Sequence, residues 1–320
     1  MSLVPWTAHP EVWMLLAGAL ALGWYAAKVL QPKAVAAGYE PITRAQKVWF
    51  TLGFVGIWVA SDWPVHDIAE DHLYSVHMLQ HLLLSMLLPA AFVLATPRWL
   101  IELLIDPQGR LWAGLRKATR PLVAGLIFNA LTLFLHWSKI VQLSADIGPV
   151  HFGFHLAVFT AGLLMWMPVL SPISEWRLAP LGQCIYLFSM SIVPTVPGGW
   201  LVFAEGVVYR HYDTPDRLWG IDVLSDQQAA GAVMKLVGGL VLWVIIVTIF
   251  TKWAVAETDR DRVDQRARDL ERLAAHDRAA DERELARVSS AESAPGVAEE
   301  PLTFEAVSEA FAASTPPRET

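Results

Sequence analysis

Two histidine pairs offer the first chemistry in this sequence. His77 and His81 stand four residues apart in HMLQHLLLSMLLPA, and His151 and His155 repeat that spacing in HFGFHLAVFTAGLL. On a helix, positions i and i+4 share one face with Cβ atoms about 5–6 Å apart. Two such helices facing each other at one depth would bring four imidazoles to a single metal ion. HExxH helices hold zinc by the same device, although neither pair here has the adjacent glutamate of that motif. Imidazole suits copper, zinc, iron and nickel alike, so the residues alone leave the metal open.

Each histidine has a plainer reading. A single histidine at a helix end usually bonds water or a carbonyl, and this serves for His9, His66, His136 and His211. Ionisable groups inside apolar spans are functional by default, which separates the two pairs from the rest. The stretch SDQQAAGAVMKLVGG places Asp226, Gln227 and Gln228 at the level of the pairs. They would accept from imidazole N–H groups, or Asp226 would cap its own helix. His72 and His136 are further accessory candidates. Met78 and Met86 fall off the face of His77 and His81 and read as packing or lipid-facing, and Met14, Met190 and Met234 read as packing. Gly231, Gly238 and Gly239 would allow close helix approach.

The elements that must position these residues are membrane helices. The chain has 320 residues, of which 54% are hydrophobic and 17% charged, with 15 Trp. This is the composition of an all-α polytopic membrane protein. A hydrocarbon core needs roughly 20 apolar residues per helix. Seven runs approach that length, at about residues 11–30, 47–63, 74–96, 121–138, 152–170, 181–203 and 228–251, the second being the shortest. No basic segment precedes the first run and no cleavage site follows it, so it is expected to be retained.

Lys28, Lys33, Arg44, Lys47, Arg98, Arg110, Arg116, Lys117, Arg120 and Arg177 fall on one side of such a topology, and Lys139, Arg210 and Arg217 on the other. The positive-inside bias predicts the N-terminus outside and the C-terminus cytoplasmic. Nine of the ten histidines then lie in the outer leaflet or outside, and only His276 lies in the tail.

Three regions are expected: a seven-helix membrane domain over 1–253, a charged cytoplasmic helical tail over 254–289 and a disordered C-terminus over 290–320. Residues 251–320 hold 10 Lys/Arg against 16 Asp/Glu, which accounts for most of the net charge of −7. The membrane part is therefore near neutral and carries no basic footprint for nucleic acid. Cys184, the single cysteine, excludes an internal disulfide, a CxxC pair and a thiolate-rich metal site.

HMLQHLLLSMLLPA, HFGFHLAVFTAGLLMWMPVL and DQQAAGAVMK, in this order, resemble the CtaG family of multi-pass assembly factors of caa-type cytochrome c oxidases. The resemblance spans roughly residues 9–250 and leaves the tail unmatched. It maps the family's membrane histidines onto His77, His81, His151 and His155, and its DQQ onto Asp226, Gln227 and Gln228. Trp137–Lys139 and Phe154 depart from the family pattern. The resemblance implies a multi-pass protein of the bacterial plasma membrane; the sequence supplies no nucleophile, phosphate loop or dinucleotide fingerprint, so it is expected not to be an enzyme. It would assist maturation of the oxidase copper centre. The implied partners are the catalytic subunit of the haem–copper oxidase, an extracytoplasmic copper donor and the lipid bilayer.

Copper is the expected metal, because it leads the divalent affinity order and as Cu(I) accepts thioether ligands. Zinc and haem remain alternatives. One rival function is electron transfer through haem b held by paired histidines. Another is an intramembrane metal-dependent hydrolase, for which Asp226 or Glu70 would be the general base.

Overall fold

The computed structural model describes residues 4–215, 217–292 and 303–313. Among them every regular element is a helix. Five helices are long and apolar enough to cross a membrane, and seven spans result if each of two bent pairs is counted as one. The helices are α1 (Pro10–Ala36), α2 (Arg44–Ser61), α3 (Val65–Asp71), α4 (Tyr74–Ala95), α5 (Arg98–Leu104), α6 (Arg110–Ala118), α7 (Pro121–Leu135), α8 (Ser138–Asp146), α9 (Gly148–Leu170), α10 (Pro180–Val202), α11 (Val223–Ser290) and α12 (Phe304–Ala313). Leu22, Leu122, Ile185, Leu236 and Leu240 are each more than 60% exposed. A water-soluble surface rarely gathers so much bare apolar area, whereas a lipid-facing one consists of it.

The bent pairs are where pattern and structure differ. The stretch between the second and third runs, which belongs to neither, folds into α3, at 44° to α2. Pro64 stands at the break, and Val65, Ile68 and Ala69 then resume helical spacing, with Ala69 fully buried. The fourth run is the shortest, since α7 ends at Leu135 and meets α6 at 69°, with Pro121 at the start of α7. Proline at a first helical position costs no hydrogen bond, which explains why a helix starts there. Pro149 plays that part in α9, which begins at Gly148.

Two compact units divide the chain, Met1–Ala254 and Val255–Thr320. The second is helical and charged from Glu257, with Arg260–Glu257 and Arg262–Asp259 pairs at i,i+3. Phe304–Ala313, inside the segment expected to be disordered, is the helix α12. Its Phe304, Val307 and Phe311 recur at helical spacing. Residues 293–302 and 314–320 of that segment lie outside the described residues.

In the first unit, α9 packs against both α4 and α7. Trp166 is fully buried and donates its indole N–H to the Met86 carbonyl at 2.7 Å. The Tyr186 hydroxyl donates to the Met165 carbonyl at 2.9 Å. A Cβ on Gly162 would overlap the Ser85 carbonyl, and one on Gly231 would strike the Gly198 carbonyl and Leu201. These two glycines let α9 approach α4 and α11 approach α10, as small residues do in membrane bundles. Gly239 has nothing within 4 Å of where its Cβ would be, so it makes no close approach.

Candidate metal centre

The first turns of α4 and α9 lie side by side, and each carries one histidine pair. The imidazole centroids are 4.4 Å apart for His77–His81 and 4.2 Å for His151–His155. Across the helices they are 5.8 Å apart for His77–His151, 6.2 Å for His77–His155 and 5.1 Å for His81–His155. All four rings therefore meet in one cluster.

Glu70 joins them from α3. Its Oε1 lies 2.6 Å from Nε2 of His151 and 3.6 Å from Nδ1 of His77. One ligand atom each from Glu70, His151 and His155 fall within 4.8 Å of one another. Metal–nitrogen and metal–oxygen bonds of about 2.0–2.2 Å would set ligand atoms roughly 3.3 Å apart, so small side-chain rotations close the set.

The donor atoms have no aligned hydrogen bonds. Glu70 Oε1, His77 Nδ1, His136 Nε2, His151 Nε2 and His155 Nε2 are all buried and lack a hydrogen bond. A buried polar atom left unpaired costs about 1–3 kcal/mol, and a cation at their centre would satisfy several together. The cavity between them measures about 30 Å³ and is lined by Glu70, His77, His81, His136, His151 and His155. That is the liquid volume of about one water, which is enough for one ion. The donor set of imidazole and carboxylate fits a transition metal.

Neighbouring groups hold several rings in defined states. Nδ1 of His136 lies 2.6 Å from the Thr132 carbonyl, which only accepts. Nδ1 therefore carries the proton, and Nε2 turns a bare lone pair to the cavity. Ser144 Oγ is 3.0 Å from Nδ1 of His151. The Gln80 amide donates to the Ala60 carbonyl at 2.7 Å and to Nδ1 of His66 at 3.1 Å. His66 thus keeps its proton on Nε2 and borders the cluster, 6.0 and 6.1 Å from the centroids of His151 and His155. His9 packs edge-on against His66 at 4.7 Å and reaches Asp67 at 3.1 Å, which ties α1 to α3.

Asp226, Gln227 and Gln228 act on backbone and not on imidazole. Asp226 accepts from Tyr74 N at 2.7 Å, Ser75 N at 3.2 Å and Ser75 Oγ at 2.5 Å. It thereby caps α4, whose own N-cap residue, Leu73, offers no side-chain oxygen. The cap of α11 is Asp222 instead, accepting from Leu224 N and Ser225 N. Gln227 accepts from Val208 N and Tyr209 N and donates to the Tyr209 carbonyl, while Gln228 donates to the Ala204 carbonyl.

The loop so held grips the centre. Tyr209 donates to the His136 carbonyl, Tyr212 to the Ala69 carbonyl, and His211 Nε2 bonds the Glu70 carbonyl at 2.9 Å. Burial pushes the Tyr209 phenol up to about 12, so it stays a donor. His72 is the C-cap residue of α3, and no described hydrogen bond joins its side chain to the cluster.

Sequence patterning offers Glu70 only as a candidate base and not as a metal donor, because a carboxylate in a connecting stretch before His77 has no helical register with it. The signal available was the VHDIAED stretch, whose apolar spacing is that of a short helix. The cluster also borders a second cavity of about 1230 Å³, which Glu70, His151 and His155 share with apolar residues of α1, α4 and α9 such as Leu22, Phe92 and Phe159.

Fold and site together define a polytopic helical membrane protein with a buried imidazole–carboxylate centre at one end of its bundle. The chain belongs to the cytochrome c oxidase caa3 assembly factor family (Caa3_CtaG), whose model matches residues 23–256. The matched segment holds every donor of the centre and leaves out only His9 among the residues around it. No curated protein and no solved structure matches the chain.

Proposed function

We propose that this oxidase assembly factor binds one copper ion between Glu70, His77, His151 and His155, with His81 and His136 beneath, and passes it to the catalytic subunit of a haem–copper oxidase. The observation that carries the reading is the convergence of five buried donor atoms, none with an aligned hydrogen bond, on a space for one ion. Copper would be cargo, held by neutral imidazoles with one carboxylate offsetting its charge. Each donor can be exchanged for a client's ligand in turn.

Two rival readings fit less well. A porphyrin would have to lie in the adjoining cavity of about 1230 Å³, which His151 and His155 line but His77 and His81 do not, so haem would leave the first histidine pair unused. A hydrolase needs a free base, yet Asp226 is spent on the α4 cap and Glu70 stands among the donors.

The positive-inside distribution supports a cytoplasmic C-terminus in a bacterial plasma membrane and a centre on the outer side. An extracytoplasmic copper donor would load it there. Metal analysis of purified protein tests the binding, with at least one copper per chain and no Soret band expected. Stoichiometric haem, or protein that takes up no copper, would defeat it. An export-dependent reporter fused after residue 253 should stay silent; activity there would invert the topology.

A further inference from the structure

Below the imidazole cluster lies a separate cavity of about 70 Å³. Five of the eight methionines in the chain line it: Met78, Met86, Met165, Met190 and Met234. Each is buried, with 6% exposure or less. They come from α4, α9, α10 and α11, so no sequence register relates them, and singly each reads as packing. Methionine is the side chain best able to fill an irregular gap. Here five of them surround a gap that stays open, at more than twice the roughly 30 Å³ share of a water.

We propose that this cavity is a second metal station, taking a soft monovalent ion, Cu(I), on thioether sulfur beneath the imidazole centre. The proposal rests on the copper reading of that centre. Thioethers select Cu(I) over harder ions. No carboxylate lines the cavity, and Lys235 stands exposed at its edge. A cation inside has no counter-charge, and since the cost of burying charge rises with its square, a divalent ion is disfavoured far more than a monovalent one.

His81 and His136 line both cavities, together with Met78. His136 Nε2 is the unpaired buried atom at that junction, with its lone pair fixed by the Nδ1 bond to Thr132. It gives an ion a nitrogen to hold while passing between the stations. Two five-residue π-helical segments flank the space, Leu83–Leu87 in α4 and Met234–Gly238 in α11. Such wide turns are rare and concentrate at functional sites. Here they carry Met86 and Met234. Met190 already accepts from Asn129 at 3.5 Å and keeps a second sulfur lone pair.

Anaerobic Cu(I) titration of the purified full-length chain, against a chromophoric chelator, tests this. Two equivalents per chain are expected, with sulfur scatterers in the copper X-ray absorption spectrum. Met165→Leu with Met234→Leu, a volume-conserving pair, should reduce the sulfur signal and weaken one equivalent at least tenfold. His77→Ala with His151→Ala should remove the other and keep the sulfur signal. Selenomethionine-labelled protein of natural sequence provides a check without mutation, because the selenium edge should show a copper neighbour.

A single equivalent with nitrogen and oxygen ligands only, or a selenium edge without copper, overturns the second station and leaves the imidazole reading standing. No Cu(I) and no Cu(II) bound at all overturns both.

Discussion

Oε1 of Glu70 lies 2.6 Å from Nε2 of His151, yet no hydrogen bond is aligned between them. Ser144 holds Nδ1 of His151 as donor or acceptor, so Nε2 is turned to the carboxylate oxygen, and a contact that short needs a proton or a metal ion between the two atoms. Glu70 arrives on α3, whose angle to α2 is fixed by the His9–Asp67 bond from α1 and the His211–Glu70 carbonyl bond from the last loop. Four separate segments thus converge to set one carboxylate against one imidazole.

Removing that charge while keeping its size gives the first prediction. Glu70→Gln leaves the His211 bond intact, because the bond is to the backbone, and replaces an anionic donor by a neutral one. Metal affinity should fall at least about tenfold, the scale on which donor and near-donor changes act. Equilibrium dialysis against a buffered metal series would measure it. Affinity equal to the natural chain would remove Glu70 from the donor set.

Acid should release the ion. Ligation needs neutral imidazole, whose ordinary pKa is about 6.5, so protons compete with the metal as pH falls through that region. Affinity is at its full value where the imidazoles are neutral and falls below their pKa, by one decade per pH unit for each proton displaced. Metal retained per chain after dialysis between about pH 8 and pH 5 reports the curve. A flat profile would point to ligands other than histidine.

How much of this was legible in the sequence follows from which forces are local. The two i,i+4 pairs and the apolar runs are properties of single helices, and periodicity reads them. Glu70 was legible as a candidate base but not as a neighbour of the histidines, because α3 is seven residues long and owes its direction to contacts from α1 and the 203–222 loop. Asp226 was placed at the right depth, but its partner was not legible: a side chain capping a helix 152 residues away leaves no local trace. The methionine cavity is the same case at larger scale, since four helices contribute to it and no pair of its methionines is in register on the face of the histidines.

Asp226→Ala separates positioning from ligation. The substitution leaves Tyr74 N, a buried donor at the start of α4, without its acceptor. Loss of a cap costs about 0.5–2 kcal/mol, and the stranded N–H adds to it. The first turn of α4, which carries His77, should loosen, so metal affinity should fall although every ligand remains. Asp226→Asn keeps an acceptor and should recover most of the loss. Thermal midpoints and dialysis on both variants decide it; an Ala variant with unchanged affinity would show that α4 holds its histidines without the cap.

The last prediction concerns the oxidase. If the centre carries metal for a client, His77→Ala and His155→Ala should lower terminal-oxidase activity in membranes while the variants accumulate normally. Each removes a ring from a site that already contains open space and unpaired atoms, so ligation suffers more than packing. His72→Ala should leave activity near normal, because no described hydrogen bond joins that side chain to the cluster. His211→Ala should fall between, since it loosens the Glu70 backbone without removing a donor. Activity in membranes from each strain, read beside immunoblots for the variant and for the catalytic subunit, gives the ranking. Recovery of the His77 and His155 strains on added copper would identify delivery of the metal as the missing step. Full oxidase activity in both strains under copper limitation would disconnect the centre from oxidase assembly.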